Sequence, residues 1–154
     1  MNVTVRPARE EDLDTVADYV IAMAKDSRGI ELTEATVHTA TRALFNRPEL
    51  GFYIVAETEG RLAGSLLVTF EWSDWRNGVY WWIQSVYVHP EFRKQGVYRE
   101  MHTYVTERVR SDSGVVGLNL YVYDKNLRAR AAYERLGMAQ SSSLIYSTPN
   151  LKSL

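Results

Sequence analysis

The chain contains no cysteine, which excludes disulfide scaffolds, thiolate zinc sites and cysteine nucleophiles together. Its three histidines stand alone at 38, 89 and 102, so no metal-ligand spacing appears and no metal is expected. It lacks net charge: eighteen Lys and Arg against nineteen Asp and Glu leave −1, a poor balance for a general nucleic-acid or anionic-membrane binder. No run approaches the roughly 20 apolar residues of a membrane span, and the opening MNVTVRPARE has no signal-peptide core. The expectation is a soluble, cytoplasmic chain with no membrane and no nucleic-acid partner. Its 154 residues make one domain, 1–154, large enough to fold around a core without staples.

What is present alternates between two periodicities. Val3 and Val5 alternate with polar residues, as in a short strand, and Glu10, Glu11 and Asp12 then place negative charge where a helix begins. Leu13, Val16, Val20 and Met23 share one helical face that ends near Ser27 to Gly29. Thr33 is placed to cap a second helix, with Val37, Ala40 and Leu44 on one stripe, stopped at Arg47-Pro48. Three strands follow, Gly51–Thr58, Arg61–Trp72 and Val79–His89, joined at Glu59-Gly60 and Asn77-Gly78, both hairpin signals. A helix over Val97–Arg110, a strand over Val115–Tyr123, a helix over Lys125–Leu136 and a last strand over Met138–Ser147 complete the pattern. The order β-α-α-β-β-β-α-β-α-β predicts an α/β (α+β) fold: a mixed, mostly antiparallel central sheet with helices on both faces.

The chemistry concentrates where a buried-looking strand, through Val86, Tyr87 and Val88, turns into a helix by way of Arg93-Lys94-Gln95-Gly96-Val97-Tyr98-Arg99. First-turn helix amides have no internal partner and the helix dipole adds about half a positive charge there. Arg93, Lys94 and Arg99 add three full charges, and Gly96 lets the backbone approach a ligand. That combination suits a pyrophosphate, although charge and one glycine equally describe a solvated helix start. The spacing fits neither a P-loop nor a dinucleotide fingerprint. Further on, Asn126, Ala129 and Tyr133 are three and four residues apart, one stripe of a helix that either presses on a ligand or is plain core with Asn126 as its cap.

These two segments resemble the GNAT superfamily of acyl-CoA-dependent N-acetyltransferases. The family's Arg/Gln-x-x-Gly-x-Gly/Ala motif is matched from Arg93 through Gly96, with Tyr98 in its last place. Its Asn-x-x-Ala-x-x-x-Tyr-x-x-x-Gly-Phe/Met segment is matched from Asn126 through Ala129, Tyr133 and Gly137 to Met138. The opening Arg6-Pro7-Ala8 with Asp12-Leu13 and the element order are similar too, so the resemblance spans nearly the whole chain.

The resemblance implies that acetyl-CoA lies where the Val79–His89 and Val115–Tyr123 strands splay apart. Val86 and Val88 would then bind the pantetheine arm through their backbone, and the amides of residues 94 to 98 the pyrophosphate. The reaction it implies is acetyl transfer to a primary amine of a small molecule or peptide by direct attack in a ternary complex, with Tyr133 as acid for the departing sulfur. Where family members carry a glutamate base this chain has Gln84. Either a water chain reaches Glu71 or Glu31, or the acceptor is an amine of low pKa that needs little help. Tyr98 either points away from the coenzyme or crowds its diphosphate.

Trp72, Trp75, Trp81 and Trp82 with Glu71 and Asp74 form either an aromatic, acidic acceptor mouth or a hairpin stack that could bury a homodimer surface. The acceptor candidates are therefore Glu31, Glu71, Trp72 and Gln84. Two rival readings stand beside catalysis. One is a non-catalytic acyl-CoA-binding or sensing module, kept open by Gln84 and Tyr98. The other is nucleic-acid binding by Arg93, Lys94, Arg99, Arg108 and Arg110, a patch that Glu100 and Glu107 dilute.

Overall fold

The computed structural model describes residues 2–148, which form two compact units divided between Tyr121 and Val122. The first unit holds strand β1 (Thr4–Pro7), helices α1 (Leu13–Arg28) and α2 (Glu34–Phe45), and strands β2 (Gly51–Thr58), β3 (Arg61–Ser73) and β4 (Gly78–Val88). Helix α3 (Val97–Ser111) and strand β5 (Val115–Leu120) complete it. The five strands make one sheet in sequence order, antiparallel from β1 to β4, with β5 parallel to β4 across the α3 crossover.

Strand alternation sorts the core into two layers. Ile54, Ala56, Leu66, Val68 and Ile83 face Val97, Met101 and Val105 of α3, while Tyr53 and Val55 face Val16 of α1 on the other side. Helices therefore cover both faces, as the hydrophobic periodicity predicts. Each helix begins and ends where its sequence directs. Gly29 at φ 63° closes α1 in the left-handed conformation that few other residues adopt cheaply, and α1 keeps acidic residues before its start. Thr33 does stand at the N-cap of α2, but its side chain makes no capping bond. Arg6 anchors the first strand to the start of α1 through Asp12 at 2.7 Å and to β2 through Glu57 at 3.1 Å.

Three expectations about strands are corrected. The second hairpin is not a two-residue Asn77-Gly78 turn; β3 and β4 are joined by residues 74–77, with Asn77 at φ 49° and Gly78 already opposite Ser73. Gly78 serves a different purpose, because a Cβ there would meet Val116 at 2.4 Å and the carbonyl of Gly114 at 2.9 Å. β5 stops at Leu120 rather than Tyr123, since its last partner on β4 is Ile83. The strand expected over Met138–Ser147 does not form among the described residues. Strand-forming residue types alone do not make a strand without a paired neighbour, and Leu144, Ile145 and Tyr146 are exposed.

The second unit consists of helix α4 (Leu127–Arg135) and the irregular chain on either side of it. Asn126 caps α4, its Oδ1 accepting the N–H of Ala129 at 3.1 Å. No helix among the described residues is long and apolar enough to cross a membrane.

Candidate functional site

The parallel β4–β5 pair is the place where the sheet opens. It runs from Val79 and Val115 to Ile83 and Leu120 and then ends, although β4 continues to Val88. Among the described residues, no strand therefore pairs with 84–88 on the β5 side. The cause lies within β4: Gln84 pairs with Leu67 and Tyr87 with Ser65, so Ser85 and Val86 together oppose Leu66 alone. This is a β-bulge, and Ser85 takes φ 50° to make it. A bulge frees one residue from the ladder and re-aims its peptide, and this one lies beside the end of the β4–β5 pairing.

Beyond Val88 the chain is fixed at several points. Phe92 is buried, and Gln95 Nε2 donates to the carbonyl of Glu91 at 2.7 Å. Arg93 turns back toward the first helix. Its Nε donates to the Val88 carbonyl at 2.8 Å, and its guanidinium reaches Asp26 of α1 at 2.7 Å and lies over the Tyr87 ring. Tyr87 packs in turn against Tyr19 at 5.0 Å between ring centres, and burial pushes both phenols above their usual range. The motif arginine is thus a brace between the loop and α1.

Between these anchors the backbone is left-handed twice, at Lys94 (φ 65°) and at Gly96 (φ 85°). Successive turns of this kind aim several N–H groups into one concavity that suits an anion. Gly96 is also the N-cap of α3, and no side chain caps the helix. The helix start at Val97 is therefore without a side-chain cap, the arrangement that suits an outside anionic acceptor. Lys94 and Arg99 supply charge at the rim, with Arg99 also 3.4 Å from Glu100. A diphosphate fits this loop by its chemistry, and the left-handed φ at position 96 favours a residue without a Cβ.

Tyr98 faces the core. Its ring packs against the α3 side of the sheet and lies tilted beside His102, 5.9 Å between ring centres. His102 is itself buried, and burial pulls its imidazole below the usual value. Tyr98→Gly is accordingly expected to destabilise the fold rather than tighten coenzyme binding. Loss of a half-buried aromatic ring and the helix penalty of glycine cost about 3 kcal/mol together. For a chain of this length that corresponds to a melting temperature lower by roughly 10 °C. Tighter binding of coenzyme A by this variant in calorimetry would place the ring in the cradle instead.

The acceptor candidates separate. Glu71 and Gln84 lie on the α1 face: Gln84 Nε2 donates to Thr69 Oγ1 at 2.6 Å, and Glu71 accepts the Trp82 indole N–H at 2.7 Å. Trp82 stacks on Tyr121 with centres 4.3 Å apart. Trp72 alternates to the opposite face and is exposed, Trp81 packs with Phe52 and Phe70, and Trp75 stands out at the hairpin end. Glu31 is exposed in the connection between α1 and α2. Sequence reasoning named Trp82 within the tryptophan cluster but missed the Ser85 bulge, Thr69 and Tyr121, because strand register brings them together and no local motif marks it. In the second unit, Ala129 and Tyr133 share one face of α4, and burial pushes the Tyr133 phenol upward. Among the described residues no group of His, Asp or Glu is arranged to hold a metal.

The chain that builds this opened pair and loop matches a known family. The model of the acetyltransferase (GNAT) family matches residues 16–138. The chain belongs to the GNAT family. The general reaction class that comes with membership is acetyl transfer, and the family's acyl donor is acetyl-CoA. A crystal structure of a possible acetyltransferase from Clostridium difficile 630 is 34% identical, superposes with a TM-score of 0.92, and the match covers 98% of this chain and 99% of that one. The thialysine N-epsilon-acetyltransferase of Caenorhabditis elegans is 29% identical over 135 residues, 86% of this chain and 78% of the relative. A predicted acetyltransferase of Clostridium acetobutylicum, solved with acetyl-CoA, shares the fold at 16% identity with a TM-score of 0.77, over 96% of each chain.

Proposed function

We propose that this GNAT chain transfers an acetyl group from acetyl-CoA to a primary amine of a small molecule or peptide, by direct attack in a ternary complex. The observation that carries the reading is the continuity of the β4 edge left open at 84–88 with the left-handed loop at Lys94 and Gly96. The edge offers Val86 and Val88 backbone groups to an extended arm, with Tyr87 held in the core beneath them. Peptide N–H groups from Lys94 to Tyr98 bind the diphosphate, Lys94 and Arg99 add charge, and Arg93 and Gln95 hold the loop in shape. An N–H re-aimed by the Ser85 bulge stabilises negative charge on the reacting carbonyl oxygen. Asn126 starts α4 so that Ala129 and Tyr133 share a face, and the Tyr133 phenol serves the departing sulfur. The family model runs from 16 to 138, through both units, which supports one working domain over 1–154.

Gln84, tied to Thr69, offers no base at the position where a carboxylate would take the proton. The acceptor must therefore arrive largely neutral. A lysine-like amine with pKa ~10.4 is neutral in about one molecule in 2,500 at pH 7, whereas an amine near pKa 8 is neutral in about one in ten. The C. elegans relative is named for thialysine, whose chain sulfur withdraws electrons and lowers the basicity of its amine. Thialysine, lysine and a peptide α-amine are the acceptors to compare.

The test is thiol release from acetyl-CoA across that panel as a function of pH. We expect turnover whose pH–rate profile follows the acceptor's own pKa, faster at neutral pH for the less basic amine. An additional limb near pH 6 that is independent of the acceptor would restore a protein base. Binding of acetyl-CoA with no thiol release from any amine would replace this reading with an acyl-CoA-binding module.

A further inference from the structure

We infer that the acceptor carries a second positive charge, distal to its reacting amine, and that Glu71 is the residue that recognises it. This rests on the acetyl-transfer reading above and adds the charge class of the substrate. Position 71 pairs with Tyr80 and Thr69 with Trp82, so Thr69, Glu71, Tyr80, Trp82 and Gln84 lie on one face of the sheet. Trp82 sits one step before the end of the β4–β5 pairing at Ile83, and Gln84 one step beyond it. The Glu71 carboxylate, turned onto Trp82, therefore stands at the mouth of the opening.

Two features make that carboxylate a recognition group. The Trp82 indole N–H, 2.7 Å from Oε2, fixes its direction, and the Trp82–Tyr121 stack at 4.3 Å fixes Trp82. Its charge is also uncompensated: no Lys, Arg or His nitrogen among the described residues forms an ion pair with it. Arg76, on the same hairpin, is turned to the Tyr80 hydroxyl at 2.8 Å. An oriented anion beside half-exposed aromatic rings attracts a cation by charge and by the ring quadrupole.

The reach follows from the register. Trp82 lies four residues before Val86 on β4, with the Ser85 bulge shortening the path between them. The second charge therefore belongs several bonds from the reacting nitrogen, as in an aliphatic diamine.

The probes are 1,5-diaminopentane, 5-aminopentanol and 5-aminopentanoate, which share the reacting end and differ in distal charge. Binding is measured with coenzyme A present, where no acetyl group can pass. We expect the diamine to bind about tenfold tighter than the alcohol, beyond the twofold statistical advantage of two amines, and the carboxylate more weakly still. Glu71→Gln brings the diamine-to-alcohol ratio toward two, and Glu71→Lys shifts the preference to the carboxylate. Each ratio is taken within one variant, so the folded fraction cancels. Equal affinities in the wild type, or a preference that survives Glu71→Gln, would overturn the inference. Thiol release from acetyl-CoA is followed in parallel; a tightly held diamine that is never acetylated would remove the catalytic reading and leave the charge recognition standing.

Discussion

Gly96→Asp is expected to weaken coenzyme A binding about 100-fold, and Gly96→Asn by only a few-fold. The backbone at 96 is left-handed at φ 85°, a conformation that Asn and Asp enter more readily than other residues with a Cβ, at roughly 1 kcal/mol. A Cβ there would approach nothing closer than the Arg99 guanidinium, at 3.6 Å, so neither substitution meets a steric wall. Both variants therefore share the conformational cost and differ by one negative charge at the lip of the proposed anion cradle. A unit charge about 6 Å from a phosphate, at an effective dielectric of ~20, costs about 3 kcal/mol, which is close to two decades in affinity. Calorimetry with coenzyme A on the two variants reads the difference directly. Equal affinities would remove the diphosphate from this loop, and the assignment of Lys94 to Tyr98 would go with it.

That loop is legible in the sequence because its determinants are local: a glycine, a helix start and three basic residues within seven positions. The elements are legible for the same reason, since Leu13, Val16 and Val20, or Val3 and Val5, declare their periodicity without reference to the rest of the chain. Features that depend on a distant partner are not. Nothing around Ser85 announces a bulge, because the bulge exists only relative to Leu66 on the neighbouring strand. β5 ends at Leu120, although its apolar pattern continues, because the bulged β4 has left it. Residues 138–147 end in the apolar run Leu144-Ile145-Tyr146, which invites a strand, yet no strand forms there among the described residues. The four tryptophans illustrate the same rule within the site: close in sequence, they divide between two faces and a hairpin end. Glu71 meets Trp82, eleven positions away, rather than acting with Trp72 beside it. Arg93 shows that a motif position can be recognised while its side chain does something else, here reaching back to Asp26.

Tyr133→Phe is expected to lower kcat by roughly 10–10³-fold while the KM for acetyl-CoA moves much less. The substitution keeps the backbone bonds on which α4 ends, where the N–H groups of Leu136 and Met138 donate to the Tyr133 carbonyl at 3.0 and 3.1 Å. What it removes is a hydroxyl that burial holds above the usual phenol value of ~10. The direction of that shift keeps the phenol protonated throughout the neutral and mildly alkaline range, as a donor requires. It also bounds the effect. A departing coenzyme thiolate has a pKa of ~8.5, so complete transfer from a weaker acid runs uphill, and the phenol helps chiefly by hydrogen-bonding to the sulfur as charge develops. The thiolate is a tolerable leaving group alone, which is why a residual rate is expected. Loss of the donor should therefore appear in single-turnover thiol release, and should be smaller for acyl donors whose leaving thiol is more acidic. Wild-type turnover in the Phe variant would strike Tyr133 from the catalytic machinery and leave it a packing residue of α4.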